Sequence, residues 1–129
     1  MAFGKILAID DEKHIRHLIQ NEFTLEGFDV QTAESGEAGL ERFSREKFDI
    51  VFLDLKLPKM DGIETLKKLK QKSSSAEVIM ITGHGEISSA VASIKLGARD
   101  YVTKPFKLDE LLTLAKQVIQ DRQFCSERP

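Results

Sequence analysis

Cysteine occurs once in the 129 residues, at Cys125, and tryptophan not at all. A single thiol excludes an internal disulfide, as in proteins of a reducing compartment, so a packed core must hold the fold. Long hydrophobic runs are also missing, and nothing approaches the roughly 20 apolar residues that span a bilayer. The opening Met1 to Ile9 is interrupted by Lys5 and followed at once by two aspartates, the wrong flanks for a signal peptide. Nor is there an excess of one charge. Nineteen Lys and Arg against 21 Asp and Glu leave a net charge of -2, with no global attraction to nucleic acid. With 31% charged and 41% hydrophobic residues, the composition does not suit a disordered chain. The expectation is one cytoplasmic domain, large enough for a real core, that contacts neither membrane nor nucleic acid directly.

What is present is a set of short apolar runs with polar ends. Ile6-Leu7-Ala8-Ile9 runs into Asp10-Asp11, Ile50-Val51-Phe52-Leu53 into Asp54, and Val78-Ile79-Met80-Ile81 into Thr82. A weaker run, Tyr101-Val102-Thr103, ends at Lys104-Pro105. Three of the runs are continuously apolar, as in strands covered on both faces. Phe28 to Ala33 alternates and the last run is short and half polar, so these two read as sheet edges. The candidate strands begin near Ile6, Phe28, Ile50, Val78 and Asp100, at intervals of 22 to 28 residues that suit strand, loop and crossover helix. The expected fold is an α/β, flavodoxin-like, doubly wound (βα)5 unit. Its parallel five-stranded sheet has the order 2-1-3-4-5, with helices on both faces.

Amphipathic stripes mark four of the helices. Leu108, Leu111, Leu112, Ala115, Val118 and Ile119 form one, with Asp109 and Glu110 in its first turn. Ile87, Ala90, Val91 and Ile94 form another that stops at Gly97. Ile15, Leu18, Ile19 and Phe23 end near Gly27, and Ile63, Leu66 and Leu69 follow a turn bracketed by Pro58 and Gly62. His14 and His17, one helical turn apart and without a third ligand nearby, read as exposed. Residues 1–122 read as the domain, and 123–129 as the start of a linker or a disordered tail.

If the runs are parallel strands, their carboxyl ends share one edge of the sheet, where ligands of such folds bind. That edge gathers Asp10, Asp11, Asp54, Thr82 and Lys104. Each acid alone is most simply a loop residue or helix N-cap. The full set is not, and Lys104 cannot cap an N-terminus. Two carboxylates about 5 Å apart repel by roughly 3 kcal/mol at an effective dielectric near 20, so three clustered acids call for a cation. All-oxygen ligation with open positions suits Mg²⁺.

Ala8-Ile9-Asp10-Asp11-Glu12, Leu53-Asp54-Leu55-Lys56-Leu57-Pro58, Met80-Ile81-Thr82-Gly83 and Tyr101-Val102-Thr103-Lys104-Pro105-Phe106 resemble the receiver domain of bacterial two-component response regulators. The resemblance implies that Asp54 is the phosphoacceptor, attacking the phosphohistidine of a sensor histidine kinase. It implies that Asp10, Asp11, Asp54 and the backbone carbonyl of Lys56 hold Mg²⁺. Thr82 would bond a phosphoryl oxygen, Lys104 would pair with Asp54 and then with the phosphate, and Tyr101 would join Thr82 as a switch residue. A cis Lys104-Pro105 bond is implied as well. Such a domain is no enzyme beyond its own phosphorylation and dephosphorylation. The output face would be the fourth helix, fifth strand and fifth helix, through which the domain self-associates. Gly83 and Gly85 would loosen the start of that fourth helix.

The stretch Thr82-Gly83-His84-Gly85-Glu86, with Ala90-Val91, Ile94-Lys95, Gly97-Ala98 and Asp100, looks most like receivers of nitrogen-regulator-type transcription activators. There an ATPase and a DNA-binding domain follow, so the chain is expected to be an amino-terminal fragment, or else a stand-alone receiver acting by protein–protein contact. An aspartyl-phosphate phosphohydrolase is the distant alternative, since its motifs run in the opposite order. A flavodoxin-like electron carrier is disfavoured because Asp10-Asp11 would repel its phosphate.

Overall fold

The computed structural model describes residues 3–73, 75–83 and 86–126. Strands and helices alternate throughout: β1 (Lys5–Ile9), α1 (Lys13–Leu25), β2 (Asp29–Ala33), α2 (Gly36–Arg45), β3 (Ile50–Asp54), α3 (Gly62–Lys72), β4 (Glu77–Thr82), α4 (Ile87–Lys95), β5 (Asp100–Thr103) and α5 (Leu108–Ser126). The five strands pair in parallel in the order β2-β1-β3-β4-β5, as expected. Each begins within one residue of its expected start. β1, β3 and β4 occupy the centre and are buried almost throughout, whereas β2 and β5 keep exposed positions as edges.

The continuous apolar runs are explained by two cores, one on each face of the sheet. Ile6, Ala8, Ile50, Phe52, Ile79 and Ile81 point to one side, against Ile19 and Phe23 of α1 and Leu111, Ala115 and Val118 of α5. Leu7, Ile9, Val51, Leu53, Val78 and Met80 point to the other, against Phe43 of α2 and Leu66 and Leu69 of α3. Successive strand residues alternate sides, so a strand covered twice must be apolar at every step. Phe23 joins the first layer together, with ring centroids 5.6 Å from Phe28 and 5.4 Å from Phe52.

Two features of the helices were not visible as sequence patterns. α2 carries few large apolar residues and contains Gly36 and Gly39. Its start is set by Ser35, whose hydroxyl accepts a hydrogen bond from the Ala38 amide at 3.1 Å. In α4 the stripe faces the other way: Ala90 and Ser93 are buried, while Ile87, Val91 and Ile94 are 39–46% exposed. Small residues let α4 sit close to β4 and β5, leaving the large ones outside. Gly27 and Gly97 follow α1 and α4 with φ of 96° and 111°, the left-handed geometry that ends a helix. α5 runs to Ser126, past the expected boundary at residue 122. Gly85, expected to loosen the start of α4, lies outside the described residues.

Candidate functional site

The carboxyl ends of the strands deliver the site. β1 ends at Ile9, which places Asp10 beyond the central strand, and Asp54 is the last residue of β3 beside it. Neither Asp11 nor Thr82 caps a helix: the N-cap of α1 is Glu12, and that of α4 is Glu86. The β3–α3 loop is folded tightly back over the strand end. Asp61 caps α3 by accepting from the Glu64 amide at 2.9 Å, and the Gly62 amide bonds the Leu55 carbonyl at 2.9 Å. A Cβ on Gly62 would lie 2.5 Å from the Asp54 carbonyl oxygen and 2.6 Å from Leu55 Cα, so only glycine allows this approach.

Asp10, Asp11 and Asp54 each place a carboxylate oxygen within 4.8 Å of the other two. Asp10 and Asp54 are buried and Asp11 is exposed. Asp10 Oδ1 accepts from the Glu12 amide at 2.8 Å, and Asp54 Oδ1 from the Lys56 amide at 3.1 Å. Lys104 Nζ enters the cluster from the far end of β5. It lies 3.2 Å from Asp54 Oδ2, 3.1 Å from Asp10 Oδ2 and 3.0 Å from Glu12 Oε1. Apart from this ion pair with Lys104, the buried Asp10 Oδ2 has no hydrogen-bond partner among the described residues. The Lys104-Pro105 bond is cis, as expected.

One ammonium faces three carboxylates, and the two buried ones ionise less readily than usual. Burial pushes the Asp54 carboxyl up, and the Asp10 charge beside it adds to the rise, to a pKa of about 6 against an ordinary 3.8. Asp10 is raised too, again by burial first. For Lys104 burial disfavours the charge, but Glu12, Asp10 and Asp54 outweigh it and raise the pKa. A buried oxygen without a hydrogen-bond partner, all-oxygen donors and surplus negative charge fit a hard divalent cation. Asp10, Asp11 and Asp54 could hold it.

Thr82 is fully buried, and its hydroxyl faces the α4 side, donating to the Gly83 and Glu86 carbonyls at 3.3 and 3.4 Å. It is therefore not aimed at Asp54 in this conformation. A Cβ on Gly83 would meet nothing within 4 Å, so the space beside Thr82 is open. Tyr101 is half-buried on β5, against the core that contains Met80. His14 and His17 are both exposed. Glu12 is the site residue that reading strand ends overlooked. It falls three residues past the strand, and its link to Lys104 crosses 92 positions of sequence.

The cavity over the acids has a volume of about 540 Å³ and is lined by Asp11, Glu12, Asp54, Lys56, Gly83 and Lys104. A cavity of about 590 Å³ lies at the opposite end of the sheet, among Phe43, Lys47, Asp49 and Arg122. Size favours the second slightly. Chemistry favours the first, where three carboxylates, an ammonium and open space meet.

Comparison with known proteins identifies the family. The response regulator receiver domain family matches residues 6–116. Regulatory protein AtoC of Escherichia coli is 37% identical over 119 residues, covering 92% of this chain and 26% of that protein. The alkaline phosphatase synthesis transcriptional regulatory protein PhoP of Bacillus subtilis is 40% identical over 122 residues, 95% of this chain and 51% of that one. The chain thus spans about a quarter to a half of these relatives. Among solved structures, NtrX from Brucella abortus superposes with a TM-score of 0.90 at 35% identity, over 98% of this chain and 29% of that one. A receiver domain protein from Clostridium thermocellum does so with 0.89 at 33% identity, over 95% and 98%. The fold, the acid cluster and these relatives lead to one conclusion: the chain belongs to the response regulator receiver domain family, the signalling domain of two-component systems.

Proposed function

We propose that Asp54 is the phosphoacceptor and that the donor is the phosphohistidine of a sensor histidine kinase. The observation behind this reading is the shared position of Asp10, Asp11, Asp54 and Lys104 at one strand edge, with a buried Asp54. In the transfer, an Asp54 oxygen forms a bond to phosphorus as the bond from phosphorus to the donor's imidazole nitrogen breaks, leaving an acyl phosphate. Asp10, Asp11, Asp54 and the Lys56 carbonyl would hold Mg²⁺. When bound, the ion offsets the charge of the acceptor and transferring oxygens. Lys104, already 3.2 Å from Asp54 Oδ2, then pairs with a phosphoryl oxygen. Thr82 reaches that group only after its hydroxyl leaves the Gly83 and Glu86 carbonyls, which shifts the start of α4.

That shift is the output. Phosphorylation replaces one negative charge at the strand edge by about 1.5 to 2, and Thr82 transmits the change to the face built from α4, β5 and α5. Ile87, Val91, Ile94 and Leu96 expose apolar surface on α4 and just beyond it, which suits self-association through this face. Tyr101 on β5 is the second switch residue. In this reading residues 1–122 form a cytoplasmic receiver and 123–129 begin the connection to an output module of the nitrogen-regulator type, with an ATPase and a DNA-binding domain. The receiver touches no nucleic acid itself and catalyses only its own phosphorylation and dephosphorylation. Among the described residues no helix is long and apolar enough to cross a membrane.

Incubation with acetyl phosphate and Mg²⁺, read by intact mass, tests the proposal. The chain gains one phosphoryl group, and Asp54→Asn gains none. Continuous release of phosphate from a range of phosphomonoesters, with no labelled protein, would instead identify a phosphohydrolase.

A further inference from the structure

Glu12 has no part in the transfer just described, yet its carboxylate holds a specific place. Its residue is the N-cap of α1, but the side chain makes no capping hydrogen bond. Instead Oε1 accepts from Lys104 Nζ at 3.0 Å, while Oε2 lies 3.8 Å from His14 Nδ1 on the outer side. Lys104 carries one charge and faces three carboxylates. Those of Asp10 and Asp54 are 2% and 6% exposed, whereas that of Glu12 is 46% exposed, at the mouth of the cavity. The exposed acid outside the cluster thus contacts the ammonium as closely as the two buried ones do. A phosphoryl group arriving on Asp54 needs that same ammonium.

We propose that Glu12 is a positioning residue for Lys104, holding the ammonium toward the cavity mouth in the resting domain and competing with the phosphoryl group for it. The inference rests on Asp54 being the phosphoacceptor. Glu12 acts only through Lys104 and touches no reacting atom. Removing its charge leaves Lys104 to the inner carboxylates and to the phosphoryl oxygens. Exposed ion pairs of this kind are worth up to about 1 kcal/mol, which corresponds to about fivefold. Glu12→Gln preserves size and makes no change to helix capping, so the fold is retained.

The test is a double-mutant cycle at saturating Mg²⁺, timing labelling by acetyl phosphate in the parent, Glu12→Gln, Lys104→Met and the double variant. Beryllofluoride titration of the same four proteins gives a second cycle that needs no turnover. Glu12→Gln is expected to label up to about fivefold faster and to bind beryllofluoride tighter by a similar factor. In the Lys104→Met background the same change has no effect. Equal behaviour of Glu12→Gln and the parent overturns the proposal. So does a gain that persists without Lys104, which would mark simple relief of charge repulsion at the cavity mouth. No labelling of the parent at all would overturn this inference together with the phosphoacceptor reading.

Discussion

Replacing Asp54 by asparagine should make the metal-free domain more stable. Asp54 is 4% exposed at the end of a central strand, and its carboxyl titrates near pH 6 instead of 3.8. Folding therefore favours its protonated form. Below pH 3.8 the acid is protonated in both states and costs nothing. As pH rises from 3.8 to 6 the unfolded chain ionises first, and stability falls. Above pH 6 the loss is complete, and 2.2 pH units correspond to about 3 kcal/mol. Asp54→Asn removes that cost while keeping the shape, at the expense of one of the Lys104 contacts. The net gain expected in EDTA at pH 7.5 is about 1–3 kcal/mol, shrinking by about half at pH 5. Urea denaturation at the two pH values measures it through the shift in midpoint. Saturating Mg²⁺ stabilises the parent more than the variant and narrows the difference. A variant less stable than the parent at pH 7.5, or a gain independent of pH, would refute the argument.

Other outcomes follow from the same geometry. Asp11 faces the open cavity, whereas Asp10 has one oxygen committed to the Glu12 amide and the other beside Lys104. Asp11→Asn is therefore expected to weaken Mg²⁺ binding about tenfold or more, and Asp10→Asn less, as read by calorimetric titration. Equal losses would count against the ranking. Gly62→Ala forces a methyl into the Asp54 and Leu55 backbone and should cost about 1–3 kcal/mol or more in denaturant melts. A neutral result would mean that the loop yields easily. Thr82→Ala should still accept one phosphoryl group but lose the change in amide exchange along α4 that beryllofluoride produces in the parent. An unchanged exchange response would place the relay elsewhere.

Much of this molecule was legible from alternation and run length. Ile50 to Leu53 reads as a buried central strand because all four residues meet apolar neighbours, on one face or the other. Strand order followed from which runs could tolerate an edge, and with it came the meeting of Asp10, Asp54 and Lys104. Periodicity misread α4 because it records which residues are apolar, not which side is covered. In α4 the close approach of Ala90 and Ser93 decides the covered face, leaving Ile87 and Val91 outward. α2 was hidden by two glycines and is anchored by Ser35, a local signal that a search for stripes passes over. Glu12 escaped because it lies three residues beyond β1, where an acid reads as a helix cap, and its side chain turns back to Lys104 instead of capping α1. The orientation of the Thr82 hydroxyl, toward α4 and not toward the acids, also depends on backbone geometry that residue type does not encode.

The most direct test of the central claim is to find where the phosphoryl group goes. Borohydride reduction of the acetyl-phosphate-treated, Mg²⁺-loaded domain converts a phosphorylated aspartate to homoserine, which peptide mapping locates. The account predicts homoserine at Asp54 alone. Conversion at Asp10 or Asp11, or labelling that leaves Asp54 unmodified, would contradict it.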